Sequence, residues 1–123
     1  MGRIFTLEEA RNLLPLVQTT TEPVFHLAAS LAEELSQAEE AGDEERMTEL
    51  RDRLQTLVQS WQQAMQDLEA EVKGLWLVDF DSGDGFWCWA YPETDLDHWH
   101  SYEGGFRSRL RHLYRFQQGP GLI

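Results

Sequence analysis

Two histidines one residue apart, a nearby carboxylate, a glycine pair and two arginines stand together in "DHWHSYEGGFRSR", Asp97–Arg109. In an extended strand alternate residues share a face, so His98 and His100 would lie on one side and Trp99 on the other. With Glu103 close behind, they offer two imidazoles and a carboxylate, the donor set of many iron, manganese and zinc sites. His100 can equally serve as an acid or base. It can also do something plainer: hydrogen-bond a backbone carbonyl or the carboxylate of Asp79, leaving His98 exposed. Two histidines without a third fixed ligand do not define a metal centre.

Other residues with chemical potential surround this stretch. Asp79 lies inside "LWLVDF" between Val78 and Phe80. A carboxylate buried there needs a partner, and Arg107 or Arg109 is the expected one. The nearby "DFDSGDG" fails the calcium-loop pattern at Gly83, Asp84 and Ala90, and reads better as a polar β-turn. Cys88 is the single cysteine, so neither an internal disulfide nor a multi-cysteine zinc site can form. In an aromatic strand it should behave as a small hydrophobe. It can meet His100 only if the third strand lies beside the second. The chain has no glycine-rich phosphate loop and no serine-hydrolase elbow.

The elements that must position these residues are an α+β set. At 123 residues the chain is one domain, long enough to bury a core. Thr6 and Glu9 form a capping box that starts a helix. Apolar residues then recur in steps of three and four: Leu7, Ala10, Leu14, Val17, Val24, Ala28, Leu31, Leu35 and Ala38, with Thr21 the one polar member. Pro15 and Pro23 fall inside this segment, yet the stripe keeps its phase. We expect one long bent helix or two near-coaxial ones. "EEAGDEE" (39–45) turns the chain. A second stripe runs Met47, Leu50, Leu54, Leu57, Trp61, Ala64, Leu68 and Val72, ended by Gly74. The expectation is an antiparallel helical hairpin over 1–73. Leu13, Leu16, Phe25, Leu27, Ala29 and Ala32 lie off its seam. They call for a further cover: the C-terminal half, another protein as partner or, most simply, a second copy of the chain in a homodimer.

The remainder (74–116) reads as a small aromatic antiparallel sheet, followed by a loose tail over 117–123. Eleven of the 14 aromatic residues lie between Trp76 and Phe116. "LWLVDF" and "FWCWAY" flank "DSGDG" as a hairpin. Pairing Phe80 with Phe86 would put Trp76, Val78, Phe80, Phe86, Cys88 and Ala90 on one face. Leu96, His98 and His100 would share a face of the next strand. Residues 106–116 fit a strand or a short helix.

Net charge is −12, but residues 104–123 carry Arg107, Arg109, Arg111 and Arg115 and no acid. Against an acidic body, four arginines are too small a footprint for nucleic acid. They suit an intramolecular contact or a small anionic ligand. No apolar run approaches 18 residues, so no membrane span is expected. A lone cysteine fits a reducing cytoplasm.

"FTLEEARNLLPLV" (5–17), "EVKGLWLVDF" (71–80), "CWAYPE" (88–93) and "WHSYEGGFRSR" (99–109) resemble a bacterial family, domain-of-unknown-function family 2203. The resemblance covers both ends of the fold around a variable helical middle. Matching positions include Phe5, Glu9, Pro15, Lys73, Asp79, Cys88, Trp89, Glu93, Trp99, His100, Gly105, Phe106 and Arg109. His98 departs from the pattern, as does "AYPE" before the glutamate. The resemblance implies a cytoplasmic bacterial protein and a polar set of Asp79, Glu93, His100 and Arg109, with no assigned activity. Two functional readings follow. The first is a non-catalytic interaction or small-ligand-binding module that self-associates through its hairpin and needs no cofactor. The second is a small enzyme or metal-binding protein using His100, with Asp79 orienting it, Arg109 holding an anion and Glu93 assisting.

Overall fold

The computed structural model describes residues 3–106 and 109–111. Helix α1 runs Leu7–Ala41 without interruption. Thr6 Oγ1 accepts from Glu9 N at 3.1 Å, and Glu9 Oε1 accepts from Thr6 N at 2.8 Å, so the capping box forms. Pro15 and Pro23 stand on the exposed side of this one helix. Gly42, at φ 66°, closes it in the left-handed conformation a glycine adopts without strain. Asp43 caps helix α2 (Glu44–Asp67) by accepting from Arg46 N.

The seam of α1 is buried where the spacing places it: Ala10, Leu14, Val17, Thr21, Ala28, Leu31 and Ala38. Thr21 is tolerated because its hydroxyl accepts a 2.8 Å bond from Trp61 Nε1 on α2. The second helix, however, is shorter than its apolar stripe. Leu68 is its cap, Glu69 turns back at φ 63°, and Ala70 N reaches Met65 O while Glu69 N reaches Gln66 O. This six-to-one and five-to-two pattern terminates helices, and Ala70 and Met65 are buried together across it. Val72 therefore belongs to a strand, and the sheet begins at 71 rather than 74.

Five strands form an antiparallel meander in chain order: β1 (Glu71–Gly74), β2 (Leu77–Asp81), β3 (Phe86–Ala90), β4 (His98–His100) and β5 (Leu110–Arg111). Strand, rather than helix, is thus the structure at 110–111. Arg107, Arg115 and the tail expected at 117–123 lie outside the described residues.

The β2–β3 register differs by one residue from the Phe80–Phe86 pairing. Phe80 stands opposite Trp87, and Asp81 opposite Phe86. Asp81 continues the strand, and its side chain accepts from Gly83 N while Ser82 N bonds Gly85 O, which makes the turn shorter. A slip of one residue exchanges faces. Val78, Phe80, Trp87 and Trp89 accordingly face the helices and pack with Phe5, Ala10, Leu14, Val17, Trp61 and Met65. Asp79, Cys88 and Phe86 fall on the outer face. Leu96 precedes β4 and packs into the helix-side core, not beside the histidines.

Sheet and hairpin share one core at the end where α1 begins and α2 ends, while Leu31, Ala38 and Leu50 form a second cluster toward the turn. The sheet supplies part of the cover that α1 needed. Leu13 packs against the shared core, and Phe25 lies 4.4 Å from Tyr91 and 5.7 Å from Trp76 between ring centres. Leu16 and Leu27 remain about half exposed.

Candidate functional site

The outer face of the sheet collects most of the candidate residues. Cys88 pairs with Asp79 on one side and with His98 on the other, while His100 pairs with Phe86. Direct cross-strand neighbours have Cβ atoms roughly 5 Å apart, so one rung of the sheet sets Asp79, Cys88 and His98 in line. His100 reaches diagonally across β3 to Asp79. Gly85 permits the close approach of β4: a Cβ there would lie 2.4 Å from both His100 O and the Trp99 ring.

His100 and Asp79 form the centre. Nε2 lies 2.8 Å from Asp79 Oδ2, and Nδ1 lies 2.8 Å from Ser101 O. A carbonyl only accepts, so Nδ1 must carry a proton. The 2.8 Å contact on the other nitrogen then requires a second proton between Nε2 and Oδ2. Either Asp79 donates it as a neutral acid, or His100 donates it as an imidazolium. Both side chains are buried, at 1% and 3% exposure. Burial pushes the Asp79 carboxyl up, opposed by His100 and by the Cys88 thiol, a weak donor. Oδ1 of Asp79 is buried with no partner in hydrogen-bond geometry among the described residues. Burial pushes the Cys88 thiol up as well, and the Asp79 carboxylate beside it adds to the shift.

Over this centre lies a cavity of about 270 Å³. Asp79 and His100 line it, together with Lys73, Phe86, Tyr102 and Phe106 among others. Tyr102 donates to Asp81 Oδ1 at 2.7 Å, a bond that helps push its hydroxyl up to about 12. The Lys73 ammonium sits 4.2 Å over the Phe86 ring and 2.8 Å from Glu71 Oε1.

Glu93, Arg109 and His98 make a second group beside the first. Arg109 Nη2 donates to Glu93 Oε2, and also to His98 Nδ1 at 2.7 Å. Its Nη1 lies 3.8 Å from Cys88 Sγ, which links the two groups. Glu93 closes the turn after the cis Tyr91–Pro92 bond: Oε1 accepts from Ala90 N, and its carbonyl accepts from Trp89 Nε1 and Gln18 Nε2.

Among the described residues the hydrogen-bond partner of Asp79 is therefore His100, not Arg109; Arg107 lies outside them. Arg109 serves Glu93 instead, because the turn brings that carboxylate nearer to β4 and β5. Its guanidinium is already committed to Glu93 and His98, so it is not vacant for an anion. The metal set expected at His98, His100 and Glu103 does not assemble: His98 is held by Arg109, and Glu103 is exposed. The cluster of potential ligands among the described residues is Asp79, Cys88 and His100, whose donor atoms lie within 4.8 Å of one another. Cys88 is the member that sequence reasoning set aside. Its signal was the β2–β3 register, which a turn one residue shorter would have supplied.

No described helix is long and apolar enough to cross a membrane. A family model described as "Uncharacterized conserved protein (DUF2203)" matches residues 3–112. No curated protein and no solved structure matches the chain.

Proposed function

The chain belongs to DUF2203, a family of uncharacterised conserved proteins, and from that premise we propose that it is a small-ligand-binding module whose recognition centre is the outer face of its sheet. One observation carries this reading: a buried Asp79–His100 pair lines a cavity, and Asp79 Oδ1 has no partner in hydrogen-bond geometry among the described residues. A carboxylate oxygen stripped of water and left unpaired costs free energy. A ligand that brings a donor or a positive charge removes that cost. For the small anionic ligand expected from the arginines, the described cations near the site are already engaged: Arg109 by Glu93, and Lys73 by Glu71.

The non-catalytic form of the reading is the simpler one. The enzyme alternative needs Arg109 to hold an anion and Glu93 to assist, but Arg109 is engaged by Glu93 and His98, and Glu93 also closes the turn. Self-association through the hairpin, with a dimer as its simplest form, retains Leu16 and Leu27 as its support.

Amide hydrogen exchange separates the two surfaces. The full chain would be compared as isolated and after unfolding, desalting and refolding, so that any co-purifying ligand is lost. Faster exchange after stripping is expected in β2, β3, β4 and residues 101–106. A change confined to α1 between Leu16 and Leu27 would move the binding function to the hairpin.

A further inference from the structure

We propose that Asp79, Cys88 and His100 bind a divalent transition-metal ion of the zinc class, with the outer-face cavity over its open coordination position. This deepens the small-ligand reading and rests on it, since it names the occupant of the same site.

The donor set is the first argument. A thiol, an imidazole and a carboxylate, all buried, have their donor atoms within 4.8 Å of one another. Zinc takes sulfur at about 2.3 Å and nitrogen or oxygen at about 2.0–2.1 Å, usually in a tetrahedron. Two such light-atom ligands then stand roughly 3.3 Å apart. The Nε2–Oδ2 pair at 2.8 Å has to open by only about half an ångström to admit the ion.

The outer shell is the second. A metal-bound imidazole generally donates its other ring N–H to a carbonyl or carboxylate, which fixes the tautomer and aims the free nitrogen. His100 already does this, with Nδ1 donating to Ser101 O at 2.8 Å. Nε2 is thereby presented to Asp79 beside Cys88. The Arg109 guanidinium lies 3.8 Å from Cys88 Sγ, a cation that partly offsets the burial and the Asp79 charge that hold the thiol protonated.

The unpaired oxygen is the third. Asp79 is 1% exposed, and among the described residues Oδ1 lacks a partner in hydrogen-bond geometry although Oδ2 and both ring nitrogens of His100 are bonded. A cation satisfies that carboxylate and the sulfur together. Binding displaces two protons to solvent: the one shared by Nε2 and Oδ2, and the thiol proton. The bonds formed are metal to Sγ, to Nε2 and to a carboxylate oxygen. Three protein ligands leave a fourth position open to water or a small molecule, unlike the closed four-ligand structural zinc sites. Asp79 and His100 both line the 270 Å³ cavity, so that position opens to a small molecule there.

Cobalt reads such a site without any assay of activity. Co²⁺ would be titrated into the folded, metal-free full chain, then displaced by Zn²⁺, for wild type, Cys88→Ser and Asp79→Asn. Wild type is expected to take one equivalent and to show thiolate-to-cobalt charge transfer in the near ultraviolet. Cys88→Ser should lose that band. Asp79→Asn should weaken binding by more than about a hundredfold, above the usual cost of altering only an outer-shell partner. Near-ultraviolet circular dichroism of the tryptophans checks that the variants fold. If either does not, wild type alone decides: a folded wild type with no charge-transfer band at stoichiometric cobalt overturns the proposal. Binding unchanged in both folded variants overturns it too. Should the metal fail while refolding still loosens β2–β4, the metal alone is refuted and the small-ligand reading stands; failure of both refutes both.

Discussion

Replacing His100 with alanine is expected to destabilise the protein by roughly 3–5 kcal/mol, the range for removing one partner of a buried ion pair. The substitution takes away the 2.8 Å partner of Asp79 Oδ2, leaving the carboxyl with the Cys88 thiol as a weak donor. The Asp79 carboxyl, buried between Val78 and Phe80, then keeps only that weak donor and the more distant Lys73 charge. Removing both partners together is a different matter. Asp79→Leu combined with His100→Ala leaves no stranded charge, so its cost should fall well below the sum of the two single changes. Urea unfolding followed by tryptophan fluorescence measures all three variants. A single-variant cost under about 1 kcal/mol, the scale of a surface ion pair, would mean that the pair does not form in solution.

The second large effect is at Trp61. This side chain is 1% exposed and joins the hairpin to the sheet: its ring meets Trp76 at 5.0 Å, and its Nε1 donates to Thr21. Trp61→Ala should cost about 3–5 kcal/mol by transfer and cavity terms. It also strands a fully buried hydroxyl at Thr21. Adding Thr21→Val to Trp61→Ala should therefore recover part of the loss, whereas Thr21→Val alone should destabilise by leaving the indole N–H unpaired. Thermal unfolding of the three variants checks the order. Additive effects would show that the Thr21–Trp61 bond does not form.

Thr21 shows how far the sequence can be read. Its place on the heptad seam was legible from the three-and-four spacing, and so was its being the one polar residue there. Which donor would meet it was not, because that depends on the stagger between two helices rather than on either stripe. The prolines teach a similar lesson. Pro15 and Pro23 fall on the exposed side of α1, where the stripe itself could place them, so the phase of the pattern outweighed the local breaker signal.

The candidate site was half legible. Asp79 and His100 stood out as a carboxylate within an apolar strand and a histidine in an aromatic one. Their pairing was one of several options. Glu93 was legible as part of the polar set, but its task in closing the Tyr91–Pro92 turn was not. Cys88 was hidden by a single residue of register. With Phe80 opposite Phe86, the thiol falls on the face away from Asp79; with Phe80 opposite Trp87, the two are neighbours. Face assignment inverts with each one-residue slip, while apolar content hardly changes when both faces of a sheet are partly covered. That is why the hairpin was easier to infer than the chemistry on the sheet.

On this reading the outer face of the sheet holds a ligand at the Asp79–His100 pair. Native mass spectrometry of the untagged full chain, as isolated and beside Asp79→Asn, tests it most directly. Wild type is expected to carry an adduct above the bare chain mass, lost on denaturation and lost or strongly reduced in folded Asp79→Asn. A wild type at its bare mass, or an adduct retained equally by the variant, would contradict it.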